Sequence, residues 1–349
     1  YLIKKYPEMA VTEAGGGYFM RFNISHPAAL AAIDAYAKAV AELCSQYKCV
    51  NSFIVGNEMM YRTTNIPNWY EGYYAQYLTQ LYMGDISKLN ENYGTAYNSF
   101  LEVEMPKRVE NTAHFYDYRN FNTSVFNAFF KRVAERIEEV IPDAKFHTKW
   151  VSDIRFTDYG QNRSHFMMNG MDPEAFNEWC DINGNDSIYF FDYLVGQNHP
   201  LDILMGCDIQ VGTNGAPVYN SEAHLIADKN KKIGDKYAKL VGAHVWQQAI
   251  HSTASLVSWM IGYRNWEYSD YSERPDCLYV HAQTNMDIQR NSDEIAAFNN
   301  KQGEICMFYS QTSRVYDSAY LNILSNIYAN AVYTGRKVDF VTETTIKNL

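Results

Sequence analysis

Short apolar segments that end in polar or carboxylate side chains alternate along this chain with amphipathic helical stretches. That alternation restricts the fold more than any other feature. Ser25 is placed to cap a helix with Pro27 in its first turn, and Leu30, Ile33, Ala37, Val40 and Leu43 recur at helical spacing until about Tyr47. Val50–Val55 (VNSFIV) then reads as a short strand of the buried parallel type. Tyr70–Met83 and Asp85–Asn92 read as helices, the second stopped by Gly94. His114–Ile141 is a long helix with Phe126, Phe129, Val133, Ile137 and Val140 on one stripe, ended by Pro142. Strands are expected at Lys145–Val151, Cys180–Asp186, Pro217–Ser221 and Ser255–Ile261, with a helix over Lys232–His251. Strands and helices in this order predict an α/β protein with a parallel sheet.

A change comes near residue 275. Cys306–Tyr309 reads as a strand, Ala319–Tyr333 as a helix stopped by Gly335, and Val338–Val341 as a strand, which together form one βαβ unit. The expected organisation is residues 1–275 as one body, 276–302 as a linker and 303–349 as the beginning of another. No internal repeat or low-complexity segment is present.

Charge narrows the function classes. The chain has 349 residues, 30 basic against 40 acidic, a net of −10. It therefore lacks the electrostatic basis for binding nucleic acid or an anionic membrane surface. The hydrophobic share of 47% and charged share of 20% suit a folded globule. Tyrosine is abundant, with 29 residues, and many lie between Tyr61 and Tyr97. A flat ring with a polar tip suits a half-wet surface, so a site rim or a subunit contact is expected there rather than core filling.

Six cysteines, with only Cys44 and Cys49 close in sequence, form neither a disulfide framework nor a zinc motif. The uncharged stretch Leu240–Tyr263 contains His244, Gln247, Gln248 and His251, so it reads as a helix and a strand of a soluble protein rather than a membrane span. The chain opens with Tyr1 rather than Met, which leaves the true N-terminus open. The cytoplasm is favoured over secretion.

Two carboxylates stand at expected strand ends. Asn57-Glu58 follows the apolar strand at 50–55, and Glu222 closes the run Pro217-Val218-Tyr219-Asn220-Ser221-Glu222. The carboxyl ends of parallel strands are where barrel active sites are assembled. Two carboxylates about 5–5.5 Å apart across such a mouth are what a retaining glycosidase requires. A glutamate after a strand is also commonly a solvated loop residue, and spacing in sequence does not fix spacing in space.

Other patterns carry less. Asp181–Asp186 with Asp192 imitates a calcium loop, but Gly184 falls fourth where the loop needs glycine sixth, and the twelfth residue is Asp rather than Glu. His244 and His251, seven apart on one expected helix, suit packing or capping. The Asn-x-Ser/Thr sequons at Asn23, Asn122, Asn162 and Asn185 are expected by chance in an Asn-rich chain. No GxGxxG, Walker, GxSxG or HExxH motif occurs.

Four stretches, taken together, resemble glycoside hydrolase family 42, the β-galactosidases with a (β/α)8 barrel. They are Tyr1–Glu8, similar to the segment after the third barrel strand; Phe53–Glu58, similar to the fourth strand; Met83–Ala96, extending through Glu104-Met105-Pro106; and Pro217–Glu222, similar to the seventh strand. The run at 83–96 is the most specific, with Met83 in place of a tyrosine and Tyr93 in place of a tryptophan. The resemblance implies an α/β TIM barrel lacking its first three βα units in this sequence, followed by the start of a flavodoxin-like trimerisation domain. It implies Glu58 as acid/base, Glu222 as nucleophile and Asn57 as hydrogen-bond donor to the sugar 2-hydroxyl. Arg21 is a candidate subsite residue, and Trp259 or Trp266 could stack on a sugar ring; a surface ion pair or core packing are the alternative roles for these three. The region after Glu58, where many members carry a zinc cluster, has no cysteine, so neither metal nor cofactor is expected.

The implied activity is hydrolysis of terminal β-galactose by a retaining exo-β-glycosidase, with a β-glycoside or oligosaccharide as partner and a homo-oligomer, by resemblance a trimer, as the assembly. The alternatives are the same chemistry on a mannoside, an arabinoside or an agar-type oligosaccharide, and a non-catalytic carbohydrate-binding barrel. A metal-dependent barrel enzyme is disfavoured by the poor inventory of metal ligands.

Overall fold

The structure, a computed structural model, describes residues 1–11, 22–57, 61–66, 68–151, 170, 172–186, 199–223, 225, 236–258, 274–316 and 319–348. The chain forms two compact units. The first is Tyr1–Phe146, Asp158–Cys180 and Gln311–Tyr320; the second is His147–Thr157, Asp181–Ser310 and Leu321–Leu349.

In the first unit, helix α1 (Pro27–Cys44) starts where the proline dictates, but its cap is His26 rather than Ser25. The His26 Nδ1 accepts the Ala28 amide at 3.1 Å, while the Ser25 hydroxyl accepts from the Tyr70 phenol. Strand β1 is Phe53–Asn57, shifted from the expected 50–55, and it is not fully buried, since Ile54 is 51% exposed. Helix α2 (Glu71–Leu81) and helix α3 (Ile86–Tyr93) follow; Asp85 caps α3, and Gly94 ends it in the left-handed conformation with φ of +67°. Helix α4 (Ala113–Glu138) is capped by Thr112 and buries the expected stripe of Phe126, Phe129, Val133 and Ile137. Ala37 and Ala41 of α1 allow close packing on Val133, Ala134 and Ile137 of α4, with Phe53 and Val55 of β1 joining the same core. The Phe53 amide donates to the Lys145 carbonyl at 2.8 Å, which sets β1 beside the chain entering the next strand.

Several of the tyrosines between Tyr61 and Tyr97 are structural, where a rim was the expectation. Tyr61, Tyr70 and Tyr74 are fully buried. Tyr82 and Tyr93 donate to one oxygen of Asp117 at 2.6 and 2.7 Å, and burial holds the Asp117 carboxyl above its ordinary range. A buried carboxylate needs such donors, and a phenol supplies one with its own apolar body. Tyr77, Tyr82, Tyr93 and Tyr97 are half-buried, and Tyr73 is 54% exposed.

In the second unit, β2 (Phe146–Val151, its first residue in the first unit), β3 (Asn183–Asp186), β4 (Val218–Ala223) and β5 (Thr253–Ser258) run parallel in chain order. Strand β3 begins at Asn183 rather than at Cys180. Helices α5 (His199–Asn214) and α6 (Lys236–Ile250) are the crossovers that β3, β4 and β5 require. Asparagines from the strands meet amides of the helices. Asn185 donates to Gln210, Asn220 to Gln248 and Asn183 to Asn214, each at 2.9 Å. Ala223, Leu225, Tyr237, Val241 and Cys277 form the apolar core of this unit.

Residues 276–302, expected as a linker, fold instead as helices α7 (Pro275–Arg290) and α8 (Ser292–Asn300). The strands β6 (Ile305–Tyr309) and β7 (Val338–Thr342) pair in parallel, and helix α9 (Ala319–Val332) lies between them in sequence. Strand β7 packs closely on α5: a Cβ on Gly212 would stand 2.5 Å from the Phe340 carbonyl oxygen. Among the described residues no helix is long and apolar enough to cross a membrane.

A Cβ on Gly184 would lie 1.9 Å from the Thr148 carbonyl oxygen, so only glycine lets β3 approach β2. Gly184→Ala is expected to cost about 3 kcal/mol or more, read as a fall in the urea midpoint. Burial also pushes the His147 imidazole down to about 4 and that of His244 to about 3. In the unfolded chain both titrate near ~6.5, so as pH falls from there toward 4 the unfolded state takes up protons that the folded state refuses. Stability is therefore expected to decline over that window. His244→Gln should flatten the decline in urea titrations at pH 7, 5.5 and 4.5.

Candidate active site

Strand β4 carries a local irregularity that decides the direction of its carboxylate. Asn220 pairs with Leu256 and Ala223 with Ser258, so three steps along β4 match two along β5. One extra residue in a strand flips the alternation of side chains beyond it. Asn220 faces helix α6, and by simple alternation Glu222 would follow it. Instead the bulge turns Glu222 to the opposite face, the face of Tyr219.

On that face Glu222 meets Lys149 of β2, whose ammonium donates to the Glu222 Oε2. Both side chains are buried, Lys149 being 5% and Glu222 7% exposed. His147, two residues before Lys149, packs edge-on against Tyr219 with ring centroids 5.6 Å apart. Desolvation keeps that imidazole neutral, so the positive charge beside the carboxylate comes from Lys149. An ammonium against a carboxylate favours the charged form of both. The Glu222 amide bonds the Asn220 Oδ1 at 3.3 Å, which ties the bulge to the Asn220–Gln248 contact on the helix side. A buried carboxylate held beside an ammonium is suited to act as a nucleophile.

Of the residues singled out in the sequence, the structure places Glu222 in this setting and Asn57 at the exposed end of β1. Glu58, Arg21, Trp259 and Trp266 lie outside the described residues. Lys149 is a site residue that no sequence motif marks. Its signal was present, because Phe146-His147-Thr148-Lys149 carries two polar side chains on alternate positions of a strand whose surroundings predict burial. Of the calcium-loop pattern, Asn183–Asp186 form β3, and Asp192 lies outside the described residues. Among the described residues no group of three or more His, Cys, Asp or Glu is arranged to hold a metal.

Comparison with known proteins agrees with this architecture. The family 42 model, described as β-galactosidase, matches residues 1–226. The chain belongs to glycoside hydrolase family 42. Among solved structures, this family 42 chain is similar to the apo exo-carrageenase of the same family from Bacteroides ovatus, with a TM-score of 0.83 at 21% identity over 99% of this chain and 50% of that one. It is similar to a catalytic mutant of a family 42 β-galactosidase from G. stearothermophilus, with a TM-score of 0.77 at 14% identity over 99% of this chain and 54% of that one. An exo-β-agarase structure matches with a TM-score of 0.54 at 13% identity, over 84% and 42% of the two chains. The chain thus spans about half the length of the first two structures, and these likenesses establish a TIM-barrel-like glycosidase fold. No curated protein matches it.

Removing one partner of a buried ion pair strands the other charge, at a cost of ~3–5 kcal/mol. Lys149→Met is expected to destabilise by that order in urea melts. Lys149→Met combined with Glu222→Gln should recover most of the loss, because no charge is then left uncompensated.

Proposed function

We propose that this family 42 chain carries the catalytic machinery of a retaining exo-β-glycosidase that removes terminal β-linked galactose. The observation that supports the reading is Glu222, turned by a bulge onto the face of Tyr219 and held there by Lys149. Glu222 attacks the anomeric carbon; the bond to the departing oxygen breaks, and a glycosyl-enzyme forms. Glu58 gives its proton to the departing oxygen, then withdraws one from the water that attacks the same carbon, which releases Glu222. Asn57 donates to the sugar 2-hydroxyl, and Arg21, Trp259 and Trp266 bound the subsites. The pairing of Lys149 with Glu222 maintains the nucleophile as a carboxylate before attack. As that charge is spent on the new bond, the ammonium loses its partner, which favours return of the carboxylate in the second step. The β6–α9–β7 unit is read as the opening of a flavodoxin-like part, and the protein as a homo-oligomer, a trimer by family resemblance.

A second reading keeps this chemistry and changes the sugar. The likeness to structures named as an exo-carrageenase and an exo-β-agarase favours oligosaccharides of carrageenan or agar type as the alternative.

The test is a panel of aryl β-glycosides together with galactan, agar and carrageenan oligosaccharides, assayed with the full-length protein. Glu58→Ala is expected to lower kcat by ~10²–10⁴ on substrates with poor leaving groups. Glu222→Ala should be inactive and, with azide, yield the α-glycosyl azide. A β-glycosyl azide from Glu222→Ala would exchange the two roles. Full activity in both variants would end the proposal.

A further inference from the structure

The first unit contains a cleft of about 460 Å³ that the glycosidic reading does not use. Tyr73, Gln76, Tyr77 and Gln80 line one side of it. These positions are spaced i, i+3, i+4 and i+7 along α2, so they form one stripe of the helix. Opposite stands Phe121 of α4, and Tyr70 contributes to the floor.

The aromatic surfaces are fixed. Tyr70 is buried, and its hydroxyl contacts the Tyr61 hydroxyl at 2.8 Å, Ser25 at 2.9 Å and Asn23 at 3.1 Å. The Tyr77 ring lies 5.5 Å from Phe121, and Tyr73 lies 6.2 Å from Tyr70, each tilted rather than stacked flat. The polar tips, in contrast, are uncommitted. Gln76 and Gln80 are exposed, their side-chain amides have no hydrogen-bond partner among the described residues, and none of the described residues lining the cleft carries a formal charge.

Those properties select a ligand class. An anion would find no cation here, and a cation no carboxylate. A hydrophobic peptide would cover the amide and phenol tips without satisfying them, which costs free energy. A pyranose ring matches both surfaces. Its C–H face is apolar enough to lie on a tyrosine, and its hydroxyls both donate and accept, as a glutamine amide does. Small-molecule sites occupy ~300–1,000 Å³, and this cleft lies within that range.

Ser25, just before α1, and Phe121, in the N-terminal half of α4, also line the cleft.

We propose that the cleft between α2 and α4 is a second carbohydrate-binding site, which takes a neutral hexose unit of an oligosaccharide chain. It binds without cleaving, and Tyr73, as the most exposed ring, is its principal stacking surface.

Affinity electrophoresis of the full-length protein through gels containing neutral β-1,4-galactan tests this. Wild type, Tyr73→Ala, Tyr73→Phe and Gln80→Ala are run, each also in the Glu222→Ala background so that hydrolysis does not contribute. Retention should persist in Glu222→Ala, fall at least fivefold in Tyr73→Ala and Gln80→Ala, and remain in Tyr73→Phe, which keeps the ring. Turnover of an aryl β-galactoside by Tyr73→Ala should match wild type, which also shows that the variant is folded. Persistent retention in Glu222→Ala together with loss in Tyr73→Ala would stand even if no glycoside were hydrolysed. Equal retention of Tyr73→Ala and wild type would overturn the proposal, as would absence of retention in all proteins. A change in sedimentation of Tyr73→Ala with unaltered retention would assign the stripe to contact between copies of the chain, and would overturn it as well.

Discussion

A lysine and a glutamate buried against one another on a parallel sheet are costly unless the backbone holds them together. Much of the second unit serves that condition. Lys149 reaches Glu222 because a one-residue bulge in β4 turns the carboxylate away from the helices. The bulge is braced by Asn220, which accepts the Glu222 amide on one side and donates to Gln248 on the other. Gly184 allows β3 to lie against β2 without a clash at Thr148, the residue before Lys149. An error in any of these would leave a charge buried without its partner.

The helix-facing side of the same strands follows a different rule. Parallel strands covered on both faces are commonly apolar, yet here Asn183, Asn185 and Asn220 project toward α5 and α6. Each finds an amide or carbonyl partner, so burial is compensated by hydrogen bonds that also fix the position of each helix against its strand. The site thus rests on a polar framework rather than on an apolar core alone. In the first unit the equivalent role falls to phenols: buried Tyr61 and Tyr70 and half-buried Tyr82 and Tyr93 spend their hydroxyls on one another, on Ser25 and on Asp117.

The parallel α/β plan was legible because it depends on local periodicity. Most helices lie within a few residues of their expected ends, and Gly94 stops α3 where its backbone freedom is needed. The misread boundaries have physical causes. Ser25 has the side chain of a helix cap, but the Tyr70 phenol, 45 residues away in sequence, occupies its hydroxyl. Residues 276–302, expected as a linker, fold as two helices, the first packing Cys277 and Val280 into the second unit's core. The tyrosine excess points to surface because composition does not say which hydroxyls find a buried acceptor.

The sequence by itself determined the alternation of strands and helices, the family likeness, and Glu222 as a carboxylate near a strand end. Those properties are written in local spacing and residue type. Only the tertiary structure decided which way Glu222 points and that Lys149 meets it, because both depend on strand register, and register joins residues 73 positions apart. It also separated tyrosines that fill the core from the Tyr73 stripe that faces solvent. That distinction is set by which helix packs on α2, a matter on which the spacing of the tyrosines is silent.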